Sequence, residues 1–284
     1  MHAILVWKNL LKGSRNYNNL NNMNISILSH GAHGGRGGID LYTANVVDAL
    51  SDNKKIKIIN LFTKKNVGLN KSKVKKFYSY STIKFFMIII LKLNKLLKSD
   101  LIIISHINLF PYLIIPILLK KKVVLFSYGL EIWGTNKNFI YKFLVSKIKY
   151  FICMRELTLG ILKKKYSLKN KKYYLLHNCI KIQKNKIKRN KIKNIVSVAR
   201  LDKEEKYKGI DETLEALNKL KNINFKYYVI GDGEDTERLK KKTIKLGLNK
   251  NVIFCGKLSD KQRDIIYDKS HIMSMPGSAK LHDR

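Results

Sequence analysis

From Asn24 onward, short apolar runs alternate with stretches of helical periodicity, and this alternation leaves few architectures open. Asn24–Ser29 (NISILS) reads as a buried strand, and a glycine-rich loop (HGAHGGRGG) follows over His30–Gly38. Ile39–Leu50 then carries Ile39, Val46, Val47 and Leu50 at helical spacing. Lys55–Phe62 is a second strand and Thr82–Leu97 a helix punctuated by lysines. Leu101–Ser105, Val123–Ser127 and Tyr150–Cys153 are apolar runs of strand length, separated by helical segments. Strands apolar on both faces that alternate with helices imply parallel βαβ units.

Lys181–Lys193 (KIQKNKIKRNKIK) breaks the pattern with seven cations and no acid, and reads as an exposed connector. The alternation then restarts. Strands are expected at 194–199, Phe225–Ile230, Val252–Cys255 and 271–275, with helices at 211–220, Asp235–Leu246 and 259–268. The fold class is therefore α/β, with two Rossmann-like βα domains. The expected division is a disordered extension over 1–22, a first domain over 23–180, a linker over 181–193 and a second domain over 194–284. Met23, directly before the first strand, reads as a natural start. The pattern alone also fits two-domain binding proteins and dehydrogenases.

The formal charge of +37 draws the chain towards polyanions. Lys, Asn and Ile crowd the sequence throughout, so compositional drift accounts for the larger share of that charge. A nucleic-acid-binding protein is an alternative function class, but its case rests on charge alone, since no RNA- or DNA-reading module is visible. Cys153, Cys179 and Cys255 lie far apart with no CxxC spacing, which fits a reducing cytosol. Cys153 and Cys255 sit in apolar runs and are expected in the core. The longest apolar stretch, Leu109–Leu119, is interrupted by Pro111 and Pro116 and falls short of the roughly 18 residues a spanning helix needs. The first residues lack a cleavage site and do not read as a signal peptide. The expected location is cytoplasmic, with peripheral attachment to the inner face of the plasma membrane. Phe77–Lys98 supports that attachment, because it mixes Phe85, Phe86, Ile88, Ile89 and Leu91 with Lys84, Lys92, Lys95 and Lys98.

Chemistry concentrates at the carboxyl ends of strands. In Asn194–Leu217, a strand runs into Arg200, and Lys208 and Gly209 precede a helix that Asp211 could cap. Two cations beside a helix N-terminus attract a phosphate or diphosphate. Gly34, Gly35, Gly37 and Gly38 open another helix and allow close backbone approach to a ligand, although the loop is not G-x-G-x-x-G. His106 ends a strand, and Ser127–Gly134 (SYGLEIWG) follows one. Gly231, Asp232 and Gly233 form a sharp strand–helix turn, and Val252–Leu258 reads VIFCGKL. No metal-ligand spacing, serine elbow or Walker loop occurs.

The Arg200–Gly209 element resembles the diphosphate-binding motif of GT-B glycosyltransferases with retaining, family-4-like sequences, with Ala199 in place of its first glycine. Gly37–Gly38–Ile39–Asp40, Gly129–Glu131–Trp133, Thr158, Asn178–Ile180, Gly231–Asp232–Gly233 and Gly256–Leu258 extend the resemblance from Met23 to about Pro276. It departs at Tyr128, where His is usual, at Arg155, where Ser is usual, and at His177 and Cys179, where Pro and Gly are usual. The resemblance implies transfer of a sugar from a nucleoside-diphosphate sugar to a lipid-linked or saccharide acceptor in bacterial envelope polysaccharide synthesis, without a metal or other cofactor. It assigns the donor diphosphate to Arg200, Lys208, Gly37 and Gly38, and the nucleotide to Gly231, Gly233, Gly256, Lys257 and Leu258. Tyr128, Gly129, Glu131 and His106 go to the sugar and acceptor cleft, and no catalytic base or nucleophile is assigned. The expected partners are the donor, the acceptor and an anionic membrane surface, with no specific nucleic acid. Nothing after Ser278 matches the E-x7-E region of the family, so the second domain is expected to be C-terminally truncated. An inactive fragment is the alternative.

Overall fold

The computed structural model describes residues 22–32, 38–129, 139–166, 171–177, 193–220 and 223–277. The extension up to 21, the connector over 181–192, Gly34, Gly35, Gly37, Glu131, Trp133, Asn178, Cys179 and Ile180 lie outside these residues, as do the last seven. The chain forms two compact units, 1–180 and 181–284.

The first unit is built on a seven-stranded parallel sheet in the order β3-β2-β1-β4-β5-β6-β7. Its strands are β1 (Met23–Ser29), β2 (Ile56–Thr63), β3 (Val74–Tyr78), β4 (Leu101–Ile104), β5 (Val123–Ser127), β6 (Tyr150–Cys153) and β7 (Lys172–Leu175). The apolar runs are needed because both faces are covered. Leu101 and Ile103 enter one core while Ile102 and Ile104 enter the other, as the period-2 side-chain alternation of a strand requires. On one face α1 (Gly38–Ser51) contributes Tyr42, Val46, Val47 and Leu50. The other face is covered by α2 (Thr82–Leu91), α3 (Leu93–Leu97), a 3-10 segment (Ile107–Leu113), α4 (Ile114–Leu118), α5 (Phe139–Lys147) and α6 (Glu156–Tyr166). Each fully buried Ile, Leu or Phe in these layers contributes about 1.5–3 kcal/mol.

Two sequence expectations need correction here. Thr82–Leu97 is two helices rather than one, because Lys92 leaves helical geometry (φ −108°, ψ 16°) between α2 and α3. Phe85 and Ile89 are core residues and not part of a surface patch, since they point from α2 into the sheet.

The second unit has a four-stranded parallel sheet in the order β10-β9-β8-β11. Its strands are β8 (Lys193–Val198), β9 (Phe225–Ile230), β10 (Val252–Gly256) and the two-residue β11 (Ile272–Met273). Helices α7 (Ile210–Asn218) and α8 (Thr236–Lys245) close one core, in which Leu214, Leu217, Phe225, Tyr227, Val229 and Leu239 meet. The buried Tyr227 hydroxyl donates to Ser197 Oγ (2.7 Å). Helix α9 (Asp260–Lys269) starts with a capping box between Ser259 and Gln262 but buries none of its residues. Cys153 is buried in the first unit, whereas Cys255 is only half-buried, because β10 is an edge strand.

Candidate functional site

In both sheets the chain order reverses beside the first strand, between β1 and β4 in one and between β8 and β11 in the other. Connections leave such a point in opposite directions and open a crevice at the carboxyl ends of the strands. The residues singled out in the sequence gather at these ends.

In the second unit, Arg200 follows β8, Lys208 and Gly209 lead into α7, and Pro276 follows β11. Gly209 adopts φ +79°, and a Cβ there would stand 2.3 Å from the carbonyl oxygen of Pro276. Gly209 is therefore the N-cap of α7, which corrects the assignment of the cap to Asp211. Asp211 lies in the first helical turn instead, where it accepts from Arg238 Nη1 (2.9 Å), Arg238 Nη2 (2.5 Å) and Lys242 Nζ (2.7 Å). Arg238 also donates to Asp235 through Nε (2.7 Å) and Nη2 (2.6 Å), and Lys242 to Glu215 (2.7 Å). The Arg238 hydrogen bonds hold the Asp211 carboxyl down at about 2. This network spans α7 and α8, and the pairs that cross between the helices were not legible in the sequence, because they lie 27 or more residues apart.

Arg200 is 72% exposed, and its guanidinium is held by Glu205, with Asp202 at 3.9 Å. It is thus a paired cation rather than a free one. A guanidinium carries five N–H donors, so one carboxylate orients it and leaves donors for a second anion. Lys208 is half-buried, with its Nζ 5.0 Å from the Tyr207 ring centroid and no ion pair among the described residues. The first turn of α7 adds N–H groups with no intrahelical acceptor.

The β9 turn is pressed against the β8 loop. Gly231 (φ +133°) would put a Cβ 1.8 Å from the Ala199 carbonyl oxygen, and Gly233 would put one 2.4 Å from that of Leu201. Leu201 donates to the Asp232 carbonyl (3.1 Å), Asp235 to that of Leu201 (2.8 Å) and Gly231 to that of Gly256 (2.8 Å). These bonds tie the ends of β8, β9 and β10 into one rim. Above Gly256 a Cβ would meet nothing within 4 Å, so this backbone is open to an incoming ligand. Lys257 is exposed and Leu258 half-buried on the same rim.

In the first unit, Gly38 is the first residue of α1, while Gly37 and Glu131 lie outside the described residues. His106 caps the 3-10 segment by accepting from Asn108 N (3.1 Å). Its ring stands edge-on to His30 with centroids 5.1 Å apart, and the two residues follow β4 and β1 at the reversal point. Burial, then His106 and Lys64, push His30 down to about 4. The sequence signal for His30 was its place directly after the first strand, where the neighbouring glycines drew the reading instead. The Tyr128 ring stands edge-on to Tyr42 and Phe126, its carbonyl accepts from Thr158 Oγ1 (3.3 Å), and Gly129 is buried. Among the described residues, no three His, Cys, Asp or Glu side chains cluster to hold a metal ion.

Residues 180–280 match the family described as glycosyl transferases group 1. That match spans most of the second unit. The chain as a whole has the GT-B fold of two Rossmann-like units. It resembles the lipopolysaccharide outer core galactosyltransferase WaaB in its apo form at 16% identity and TM-score 0.62, over 90% of this chain and 74% of that one. WaaG, a glycosyltransferase involved in lipopolysaccharide biosynthesis, aligns at 14% identity and TM-score 0.58, over 89% and 75%. Anabaena HepE in complex with UDP-glucose aligns at 15% identity and TM-score 0.60, over 84% and 70%. No curated protein sequence matches the chain. Within the second unit, the rim from Arg200 to Gly209 and from Gly231 to Leu258 lies inside the matched residues.

Proposed function

We propose that the protein transfers a sugar from a nucleoside-diphosphate sugar to a saccharide or lipid-linked hydroxyl acceptor in envelope polysaccharide synthesis, at the inner face of the plasma membrane. The observation that carries the reading is that Arg200, Lys208 and the first turn of α7 all lie on the connection that leaves β8 at the order reversal of the second sheet. The difficult step is departure of the diphosphate. Arg200, Lys208 and the helix N-terminus offset its developing charge, and Glu205 holds the Arg200 fork in place. The bound UDP-glucose of HepE supports a nucleotide donor on this fold. In this reading the base and ribose lie along Gly231, Gly233, Gly256, Lys257 and Leu258. Gly37 and Gly38 approach the diphosphate, while His106, Tyr128, Gly129 and Glu131 serve the sugar and acceptor.

Calorimetry with a nucleoside diphosphate tests the donor site. Arg200→Ala and Lys208→Ala should each weaken binding by about 1.5–3 kcal/mol, the range of a charge-assisted hydrogen bond. Unchanged affinity in both variants would reject the assignment. A second reading, a chain that binds donor without turning it over, is favoured by the exposure of Ile265, Ile272 and Met273 around the sheet of the second unit. Turnover on the order of 1 per second with an accepted acceptor excludes it.

A further inference from the structure

The first unit carries an apolar surface that the donor chemistry does not use. Helix α2 buries only Phe85 and Ile89. Its remaining length exposes Ile83 (76%), Phe86 (46%), Met87 (49%), Ile90 (47%) and Leu91 (70%). Beside it, α4 buries Pro116 and Ile117 but leaves Ile115, Leu118 and the following Leu119 about half exposed or more. The two helices belong to one layer. Tyr112, just before α4, contacts Phe85 (5.1 Å) and Phe86 (6.2 Å), and both helices bury residues in the same core on one face of the sheet. Apolar side chains grouped in this way on a basic protein mark an interaction surface.

The charge around the surface selects the partner. Over residues 82–120, which span these helices, the chain has five lysines and one acid, Asp100. Lys84, Lys98 and Lys120 are exposed on or next to these helices, and Lys92 and Lys95 are half-buried there. A second copy of the same face would set lysine against lysine. Among the described residues, no helix is long and apolar enough to cross a membrane.

We infer that α2, α4 and Leu119 form a monolayer-docking face that lies on an anionic lipid surface, with apolar side chains in the acyl boundary and lysines at the headgroups. This deepens the membrane part of the proposed function by naming the face. Its test does not depend on sugar transfer.

The full chain is sedimented with vesicles of phosphatidylcholine alone or with about one third phosphatidylglycerol, at low and high salt. Binding should require the anionic lipid and weaken with salt. Ile83→Glu/Leu91→Glu should reduce partitioning about tenfold, since two membrane-facing side chains are lost. Lys84→Glu/Lys120→Glu should reduce it at least about fivefold, the equivalent of one lysine near an anionic surface. All four positions are exposed, so thermal midpoint and nucleoside-diphosphate affinity should stay unchanged in both variants; loss of that affinity alone would count against the donor site and not against this face. Equal binding to both vesicle types, no binding at low salt, or wild-type binding by both variants overturns the inference. Self-association of the wild type that Ile83→Glu/Leu91→Glu abolishes would also overturn it, by showing that a second copy covers the face.

Discussion

The two units solve the same problem, covering a parallel sheet, with unequal means. The first has apolar layers on both faces, and ionic contacts at its surface, such as Lys71 to Asp52 at 2.9 Å. The second has one apolar layer and, on the helices of that layer, a five-residue ion-pair network around Arg238. Outside that layer stand α9, which buries nothing, and the edge strand β11, whose Ile272 and Met273 are more than half exposed. The unit that holds the candidate donor site is therefore the more dependent on backbone fit and electrostatics.

Three experiments can break or sharpen this contrast. The largest effect is expected from Gly231→Ala, which forces a Cβ into the Ala199 carbonyl at a positive φ. It should cost about 3 kcal/mol or more in the second unit, because both steric overlap and backbone strain arise. In a thermal scan the second unit's transition should fall or vanish while the first unit's persists. A common shift of both transitions would show that the units are not separately cored.

A smaller effect is expected from Arg238→Ala, which leaves Asp211 and the nearly buried Asp235 carboxylate without their main partner. The cost should be about 1–3 kcal/mol, between an exposed pair and a buried one. The pH dependence has a definite sign. The folded Asp211 pKa of about 2 is below its ordinary value, so its stabilisation is present above about pH 4 and is lost as pH falls towards 2. Arg238→Ala should flatten that acid limb in urea titrations. A loss under about 0.5 kcal/mol would remove the network from the account of the second unit.

The smallest effect belongs to His30 in the first unit. Its folded pKa of about 4 lies below the ordinary 6.5, so the unfolded chain takes up a proton that the folded chain refuses. Stability of the first unit should fall as pH drops from about 6.5 to about 4, with a slope of at most one proton. His30→Gln should reduce that slope, read from denaturation midpoints at about pH 7 and pH 5. An unchanged slope would place the acid sensitivity of this unit elsewhere.

What was legible in the sequence follows from burial. NISILS, LIII and VVLFS announce themselves because both faces of a central strand must be apolar. Val74–Tyr78 and Lys172–Leu175 did not, because they are the edges of the sheet and keep lysines and tyrosines partly in solvent. Cys255 misled for the complementary reason, since its apolar run also lies at an edge. At the candidate site, Gly231 and Gly233 were legible because a tight strand–helix turn leaves room for no other residue. The pairing of Arg200 with Glu205 was not, because it depends on how the 3-10 segment Lys203–Lys208 folds back. The role of Asp211 depends on α8, which arrives only later in the chain.

The close approach of Gly209 to Pro276 has a consequence for motion. The loop that carries Lys208 cannot swing outward independently, since its pivot touches the segment after β11. That segment is itself fastened to β8 by Ser274 N donating to the Val196 carbonyl (2.9 Å) and by Ser197 Oγ donating to the Ser274 carbonyl (2.5 Å). Ser274 Oγ also meets Thr213 Oγ1 of α7 at 2.9 Å. Amide hydrogens around Gly209, Thr213 and Ser274 should therefore exchange with solvent as one cooperative opening unit rather than as two loops. A ligand that binds at Lys208 would slow exchange at Ser274 without touching it.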